Sequence, residues 1–175
     1  LQDRHSLAPD LIFFTGDAAF GHLGEDGGKS ITEQFREAGG LFKEICGVFE
    51  DAVPIENFFI VPGNHDVKRT KLLELINNGF KLSLEGKDYI GVEKALNELI
   101  KQGGDEWEGF INRLSDYRQF LTDNDYTHLL QDSKRLIYAV EREINRVKIG
   151  VIGLNSAWSC YQDGEKGKLW LAGHW

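Results

Sequence analysis

The stretch NFFIVPGNHD, residues 57–66, runs from an apolar segment directly into a glycine, a carboxamide, an imidazole and a carboxylate. Its apolar part, Phe58 to Val61, predicts a short strand buried on both faces of a parallel sheet. Side chains that bind metals or transfer protons then follow without a gap. A strand that ends in this way indicates a functional site, provided that a second strand end supplies partners.

A second apolar run, LIFFT at residues 11–15, ends at Gly16 and Asp17. This run also predicts a strand buried on both faces, and a central place in the sheet. Between the two runs, Ser30 stands three residues before Glu33, which predicts a capped helix start. Apolar residues then recur at helical spacing, so we predict a helix over about 30–50 in spite of Gly39-Gly40.

Strand, helix and strand in this order predict one βαβ crossover with parallel strands. Asp17 and Asn64 then lie at the same carboxyl edge of the sheet, which is where open α/β sheets bind ligands. Residues 68 to about 132 are charged and helix-prone, with amphipathic stripes that predict a helical insertion. Strands are predicted again near 135–140 and 147–154, joined by a hairpin turn.

Composition excludes several classes of protein. The 175 residues fit one α/β domain, and a net charge of −8 argues against a general nucleic-acid footprint. The sequence contains no run of about 18 apolar residues, so no membrane span is predicted. The widely separated Cys46 and Cys160 fit reduced thiols, so we expect a cytoplasmic protein. A chain that starts at Leu1 and contains no methionine is expected to be a fragment.

The two strand ends together fit the hydrolysis of a phosphate ester. That reaction needs a hydroxide at neutral pH and compensation of charge on the phosphoryl oxygens, and two metal ions about 3.5–4 Å apart supply both. Asp17 can bridge two metal ions, Asn64 can offer a carboxamide oxygen to one of them, and His65 can donate a proton to the leaving group.

The motifs TGD at residues 15–17 and PGNHDV at residues 62–67 resemble two core motifs of the calcineurin-like metallophosphoesterase superfamily. The later VIGLNSAW, residues 151–158, is similar to a core strand of some bacterial members. The resemblance implies an α/β fold with a β-sandwich core flanked by helices. It also implies two divalent metal ions (Mn, Fe, Zn or Ni), with Asp17 and Asn64 as metal ligands and His65 acting on the leaving group or the phosphate.

Three departures from the family pattern predict a truncated domain, a single partial one over residues 1–175 with its helical insertion at about 68–132. The family's opening Asp-x-His is matched in letters by Asp3-Arg4-His5, but no apolar strand precedes it. The closing histidines are missing apart from His174, which we do not expect to be a ligand. Some members place an acid three residues after the GD carboxylate to orient the histidine, whereas this chain has Phe20.

The function predicted from these residues is a metal-dependent phosphoester hydrolase that uses a dinuclear centre to activate water. A phosphodiester, for example of a nucleotide, is the preferred substrate. The alternative is a degenerate, inactive phosphoesterase-like binding or regulatory module.

Structural interpretations remain open beside this one. Gly-Asp is also common turn chemistry, and Asp66 is expected to cap a following helix. His22 and His128 are expected to be solvated, and Asn155 and Ser156 are weaker candidates for a substrate contact.

Overall fold

The computed structural model describes residues 9–21, 28–48, 53–69, 79–80, 82–160 and 169–171. Strand β1 (Ile12–Phe14) pairs in parallel with strand β2 (Phe58–Ile60), with Phe13 opposite Phe59. Helix α1 (Ile31–Gly47) lies between them in the chain. The parallel pairing confirms the predicted crossover and brings the carboxyl ends of the two strands to one edge.

Helix α1 begins where its sequence predicts. The Ser30 hydroxyl accepts a hydrogen bond from the Glu33 amide at 3.2 Å, and the Glu33 carboxylate accepts one from the Ser30 amide at 2.8 Å. This capping box satisfies amides that the first helical turn leaves without partners. One face of α1 is buried, and its Phe42 ring packs against Phe14 and Phe58 of the sheet, with centroids 4.7 and 5.1 Å apart.

Strand β1 differs from the prediction that both of its faces are buried. Its central residue, Phe13, is 55% exposed, whereas every residue of β2 is buried. Within the described residues β1 pairs only with β2, so one side of β1 has no neighbouring strand there. The apolar run of β1 therefore predicted a strand correctly but overestimated how much of it is covered.

The described part of the predicted insertion forms helices α2 (Tyr89–Gln102), α3 (Asp105–Ile111) and α4 (Ser115–Asp123). Its first apolar stripe, at residues 72–76, lies outside the described residues. Phe120 of α4 stacks on Phe35 of α1 at 5.1 Å, and the Tyr117 hydroxyl donates to the Ile60 carbonyl at 3.2 Å. These contacts make α4 part of the same hydrophobic core as β2 and α1. None of the described helices has the length and apolar character needed to cross a membrane.

Strands β3 (Tyr138–Ile144) and β4 (Val147–Gly153) form an antiparallel hairpin. Its two turn residues, Asn145 and Arg146, both have positive φ, at 50° and 65°. This is the backbone of a type I′ turn, which matches the twist of the strands without requiring an Asn-Gly pair. The described residues contain two two-stranded sheets, and the β-sandwich that the resemblance implied stays a prediction.

Candidate functional site

Two loops meet where β1 and β2 end. The first loop, residues 15–21, follows β1, and the second, residues 61–66, follows β2. Val61 extends the ladder, since its amide donates to the Phe14 carbonyl at 3.2 Å. The sheet therefore positions Asp17 of the first loop and the Asn64-His65-Asp66 run of the second side by side.

Glycines allow the two loops to approach this closely. A Cβ added to Gly16 would lie 2.8 Å from the Cα of Gly63, and a Cβ added to Gly63 would overlap Asp17. Gly16 also has a φ of +118°, which side-chain-bearing residues rarely adopt. Asp17 itself lies in the left-handed region, with a φ of 59°. The GD and GN pairs thus permit a backbone contact that bulkier residues would prevent.

The carboxylate of Asp66 joins the two loops. Asp66 is fully buried and accepts hydrogen bonds from the amides of Asp17 (3.1 Å), Ala19 (2.7 Å) and Gly63 (2.8 Å). Burial raises the pKa of this carboxyl to about 6, although the hydrogen bonds that it accepts from backbone amides favour the charged form. The sequence predicted a helix cap here, but the carboxylate instead connects the first loop to the second.

Asp17 and His65 are in direct contact. The His65 amide donates to Oδ1 of Asp17 at 3.0 Å, and an open cavity of about 400 Å³ is lined by both residues together with Ala18, Ala19 and Phe20. Asn64, half-buried, lies between Gly63 and His65, and its main-chain carbonyl accepts from Arg69 at 3.2 Å. The two strand ends therefore bring the three predicted site residues together in one pair of loops.

The His65 ring is held on one side by Phe20. Its Nδ1 lies 2.8 Å from the Phe20 carbonyl oxygen, and the two rings stack with centroids 5.7 Å apart. Because a carbonyl oxygen can only accept, Nδ1 must carry the proton of this hydrogen bond. The other nitrogen, Nε2, is then the one available for a proton transfer. Where the family pattern offers an acid, this chain uses the main chain of Phe20.

The donor set for metal ions is partial within the described residues. Asp17 supplies a carboxylate and Asn64 a carboxamide, both suitable ligands for divalent ions. No cluster of three or more His, Cys, Asp or Glu side chains occurs in the part of the chain that the structure describes. Asp3, His5, His22 and His174, the remaining residues weighed from sequence, lie outside that part. The residues seen here thus fit part of a metal centre.

Asn155 is a structural residue rather than a candidate for substrate contact. Its side chain is fully buried, donates to the Arg135 carbonyl at 2.9 Å and accepts from the Trp158 amide at 3.2 Å. It therefore closes the turn after β4, and its side chain is not exposed to a ligand.

Arg113, in the short turn between α3 and α4, was missed by sequence reasoning. The residue is 1% exposed, and its guanidinium donates to the carbonyls of Lys68 (3.2 Å), Trp158 (3.2 Å) and Cys160. The signal was available, because Arg113 follows Phe110 by three residues and precedes Tyr117 by four, on the apolar stripe. An arginine at such a position indicates a buried partner.

Comparison with known proteins agrees with this geometry. A family model described as calcineurin-like phosphoesterase matches residues 2–175. No curated protein and no solved structure matches the chain. The family match covers nearly all of the sequence, including both loops of the site. The chain therefore belongs to the calcineurin-like phosphoesterase family.

Proposed function

We propose that this chain carries part of the active site of a metal-dependent phosphodiesterase. The observation that supports the proposal is the meeting of Asp17, Asn64 and His65 in two loops that share the buried carboxylate of Asp66. A turn that served only to reverse the chain would not require a buried charge, because burying a carboxylate costs free energy. Membership of the family makes a phosphoester the expected substrate class.

Asp17 and Asn64 are the residues that would hold divalent metal ions, Asp17 through its carboxylate and Asn64 through its side-chain carboxamide. Such ions supply a nucleophile from water at neutral pH and compensate the charge of the phosphoryl oxygens. The position of Asp17 suits this role, because its side chain is exposed and its Oδ1 is already oriented by the His65 amide. The negative charge of this loop would otherwise repel a phosphate anion.

His65 acts on the leaving group. Its Nδ1–H is engaged with the Phe20 carbonyl, so the protonated ring presents Nε2–H as the donor. Transfer of this proton to the departing alkoxide oxygen stabilises the negative charge that develops there. The stacked Phe20 ring limits rotation of the imidazole and keeps this direction fixed.

A small diester is the proposed substrate, for example one that carries a nucleoside. The net charge of −8 disfavours a long polyanion, which needs clustered lysine and arginine. The buried thiols of Cys46 and Cys160 are compatible with the cytoplasmic location that we also propose. The second candidate, a binding module without activity, is favoured by the partial donor set among the described residues.

Metal content and turnover test the proposal together. The protein is loaded with manganese, desalted and analysed by elemental mass spectrometry, beside Asp17→Asn and the control Asp125→Asn. Asp125 is a matched control because it is also exposed and has a positive φ, at 65°. We expect bound metal in the wild type and in Asp125→Asn, and its loss in Asp17→Asn.

Hydrolysis of bis(4-nitrophenyl) phosphate and of 4-nitrophenyl phosphate is then measured on the same samples. Turnover of the diester that depends on both manganese and Asp17 supports the proposal. Turnover of the monoester alone refutes the assignment to diesters. Metal binding with no turnover of either ester favours the binding module.

A further inference from the structure

Gln34 lies in the first turns of α1 and hydrogen bonds with three main-chain groups outside its helix. Its Oε1 accepts from the Phe20 amide at 2.6 Å, and its Nε2 donates to the carbonyls of Gly21 and Lys29, each at 2.9 Å. The side chain of Gln34 therefore binds the first loop at Phe20-Gly21 and joins it to the start of α1.

These contacts flank the carbonyl that His65 uses. The amide of Phe20 and the carbonyl of Gly21 are both fixed by Gln34, and the Phe20 carbonyl lies between them in the chain. That carbonyl accepts from His65 Nδ1 at 2.8 Å. Gly21 permits the arrangement, since its φ is +103° and an added Cβ would lie 3.2 Å from the same nitrogen.

We infer that Gln34 is a positioning residue for His65, acting through the main chain of Phe20. By holding the Phe20 carbonyl in place, Gln34 keeps the Nδ1–H of His65 engaged. Nε2 is then the nitrogen that takes up the second proton of the imidazolium ring and passes it to the leaving group. A neutral main-chain acceptor orients the ring without the added negative charge of a carboxylate. The inference deepens the proposed function, and its catalytic consequence rests on that function.

Nitrogen and carbon NMR of the imidazole rings tests the positioning step without any need for activity. The His65 signals are assigned by their loss in His65→Gln. The pH is raised until the His65 signals no longer change, because only the neutral ring shows which nitrogen is protonated. We expect the Nδ1–H form in the wild type and a shift towards the Nε2–H form in Gln34→Ala.

Gln119→Ala is the matched control. Gln119 is an exposed glutamine on α4 that hydrogen bonds with Asp123 of its own helix, at 2.7 Å. Its removal should leave the His65 signals unchanged. An unchanged Nδ1–H form in Gln34→Ala overturns the inference, because the ring would then be oriented without Gln34.

Kinetics tests the catalytic consequence in the manganese-loaded protein. For a diester with a poor leaving group, kcat of Gln34→Ala should fall about tenfold or more with little change in KM, since general acid catalysis contributes about 10²–10⁴-fold. For bis(4-nitrophenyl) phosphate, whose leaving group needs little protonation, kcat should fall much less. Equal losses for both substrates overturn the inference.

The NMR and the kinetic experiments together distinguish a failure of the inference from a failure of the proposed function. An inactive wild type in which Gln34→Ala still changes the His65 tautomer refutes the function and keeps the positioning role. If Gln34→Ala does not fold, Gln34→Glu is read by the same spectra. Glutamate keeps an acceptor for the Phe20 amide but cannot donate to Gly21 and Lys29, so it should also reduce the Nδ1–H form.

Discussion

Asp66 and its three amide donors illustrate how one residue can connect two loops that are 47 to 49 residues apart in the chain. Oδ2 accepts from Asp17 and Gly63, and Oδ1 accepts from Ala19. Only a group with two acceptor atoms can satisfy all three amides. The residue is therefore required for the shape of the site even though its side chain is not exposed to a ligand.

Asp66→Asn is expected to lower the free energy of unfolding by about 1–3 kcal/mol, because one end of the new side chain carries N–H donors that face backbone amides. Urea unfolding measures the change. The exposed Asp123, on α4, provides the control Asp123→Asn, which should change stability by less than about 0.5 kcal/mol. Equal stabilities of the two variants would contradict the bridging role of Asp66.

His128 gives the protein a pH dependence that its sequence did not predict. It was expected to be solvated, but it lies half-buried, with Nε2 3.3 Å from the Phe58 carbonyl and its ring against Phe59 and Tyr126. Burial lowers its pKa, and Arg142 lowers it further, while the Phe58 carbonyl and Glu56 act in the opposite direction. The unfolded chain therefore binds this proton more readily than the folded one.

Stability from His128 should consequently be lost as the pH falls below the ordinary imidazole value of about 6.5. In His128→Gln, which can still donate to the Phe58 carbonyl, this part of the pH dependence disappears. The free energy of unfolding of the wild type and of His128→Gln is measured with urea from about pH 7.5 to about pH 5.5. The difference between the two pH profiles gives the contribution of His128, because all other titrating groups are shared. Parallel profiles would show that His128 does not contribute.

At the scale of elements, helix α1 contains two adjacent glycines with different surroundings. Gly39 is buried, and a Cβ added there would overlap the side chain of Asn124, which follows α4. Gly40 is exposed, and an added Cβ would meet nothing within 4 Å. Both glycines weakened the prediction of a helix from sequence, but only Gly39 is needed for the packing of α1 against Asn124.

Gly40→Ala should therefore raise the free energy of unfolding by about 0.5–1 kcal/mol, since alanine is the better helix former. Gly39→Ala should lower it by about 1–3 kcal/mol because the close approach to Asn124 is lost. Each variant is the control for the other, because the chemical change is identical. Thermal unfolding measures both changes in stability. Changes of the same sign would contradict the different roles of Gly39 and Gly40.

The elements that could be predicted from the sequence are those that short-range sequence patterns determine. The Ser30 and Glu33 cap and the apolar runs of β1 and β2 each depend on residues that are close in sequence. The convergence of Asp17 and Asn64 also followed, because a βαβ unit joins parallel strands, whose carboxyl ends lie at the same edge of the sheet.

The hydrogen-bond partners of Gln34, Arg113 and His128 could not be assigned in this way, although the apolar stripe indicates that Arg113 is buried. The main-chain partners of Arg113 and His128 lie 45 to 70 residues away and leave no periodic trace. Gln34 joins Gly21 to Lys29, two positions that no local pattern relates. Hydrogen bonds to main-chain carbonyls do not depend on the identity of the partner side chain. Such contacts appear only when the whole chain is folded.

At the scale of the whole molecule, Arg113 links the helical insertion to both segments near the site. Its guanidinium donates to Lys68, just after the second loop, and to Trp158 and Cys160, after β4. The Lys68 amide in return donates to the Arg113 carbonyl at 2.8 Å. Arg113 thus holds the segment between α3 and α4 to residue 68, just after the second loop, by polar contacts as well as by the shared apolar core.

Arg113→Met puts a long apolar side chain in place of the arginine and removes every side-chain donor. The carbonyls of Lys68, Trp158 and Cys160 then lose this hydrogen-bond partner. Because each such group costs about 1–3 kcal/mol, we expect a loss of about 3 kcal/mol or more in the free energy of unfolding. Arg36→Met, on the exposed face of α1, is the control and should be nearly neutral.

Hydrogen exchange followed by mass spectrometry then separates a local effect from a global one. If Arg113 holds the segment between α3 and α4 to residue 68 and to residues 158–160, exchange in Arg113→Met should rise together in residues 61–69, 105–123 and 155–160, while β3 and β4 exchange as before. A rise confined to residues 105–123 would show that the insertion folds independently of the site. A uniform rise across the chain would show that Arg113 stabilises only the fold as a whole. Coupled exchange is the outcome that the three carbonyl contacts predict, since the removal of one guanidinium leaves two separate segments without the same donor.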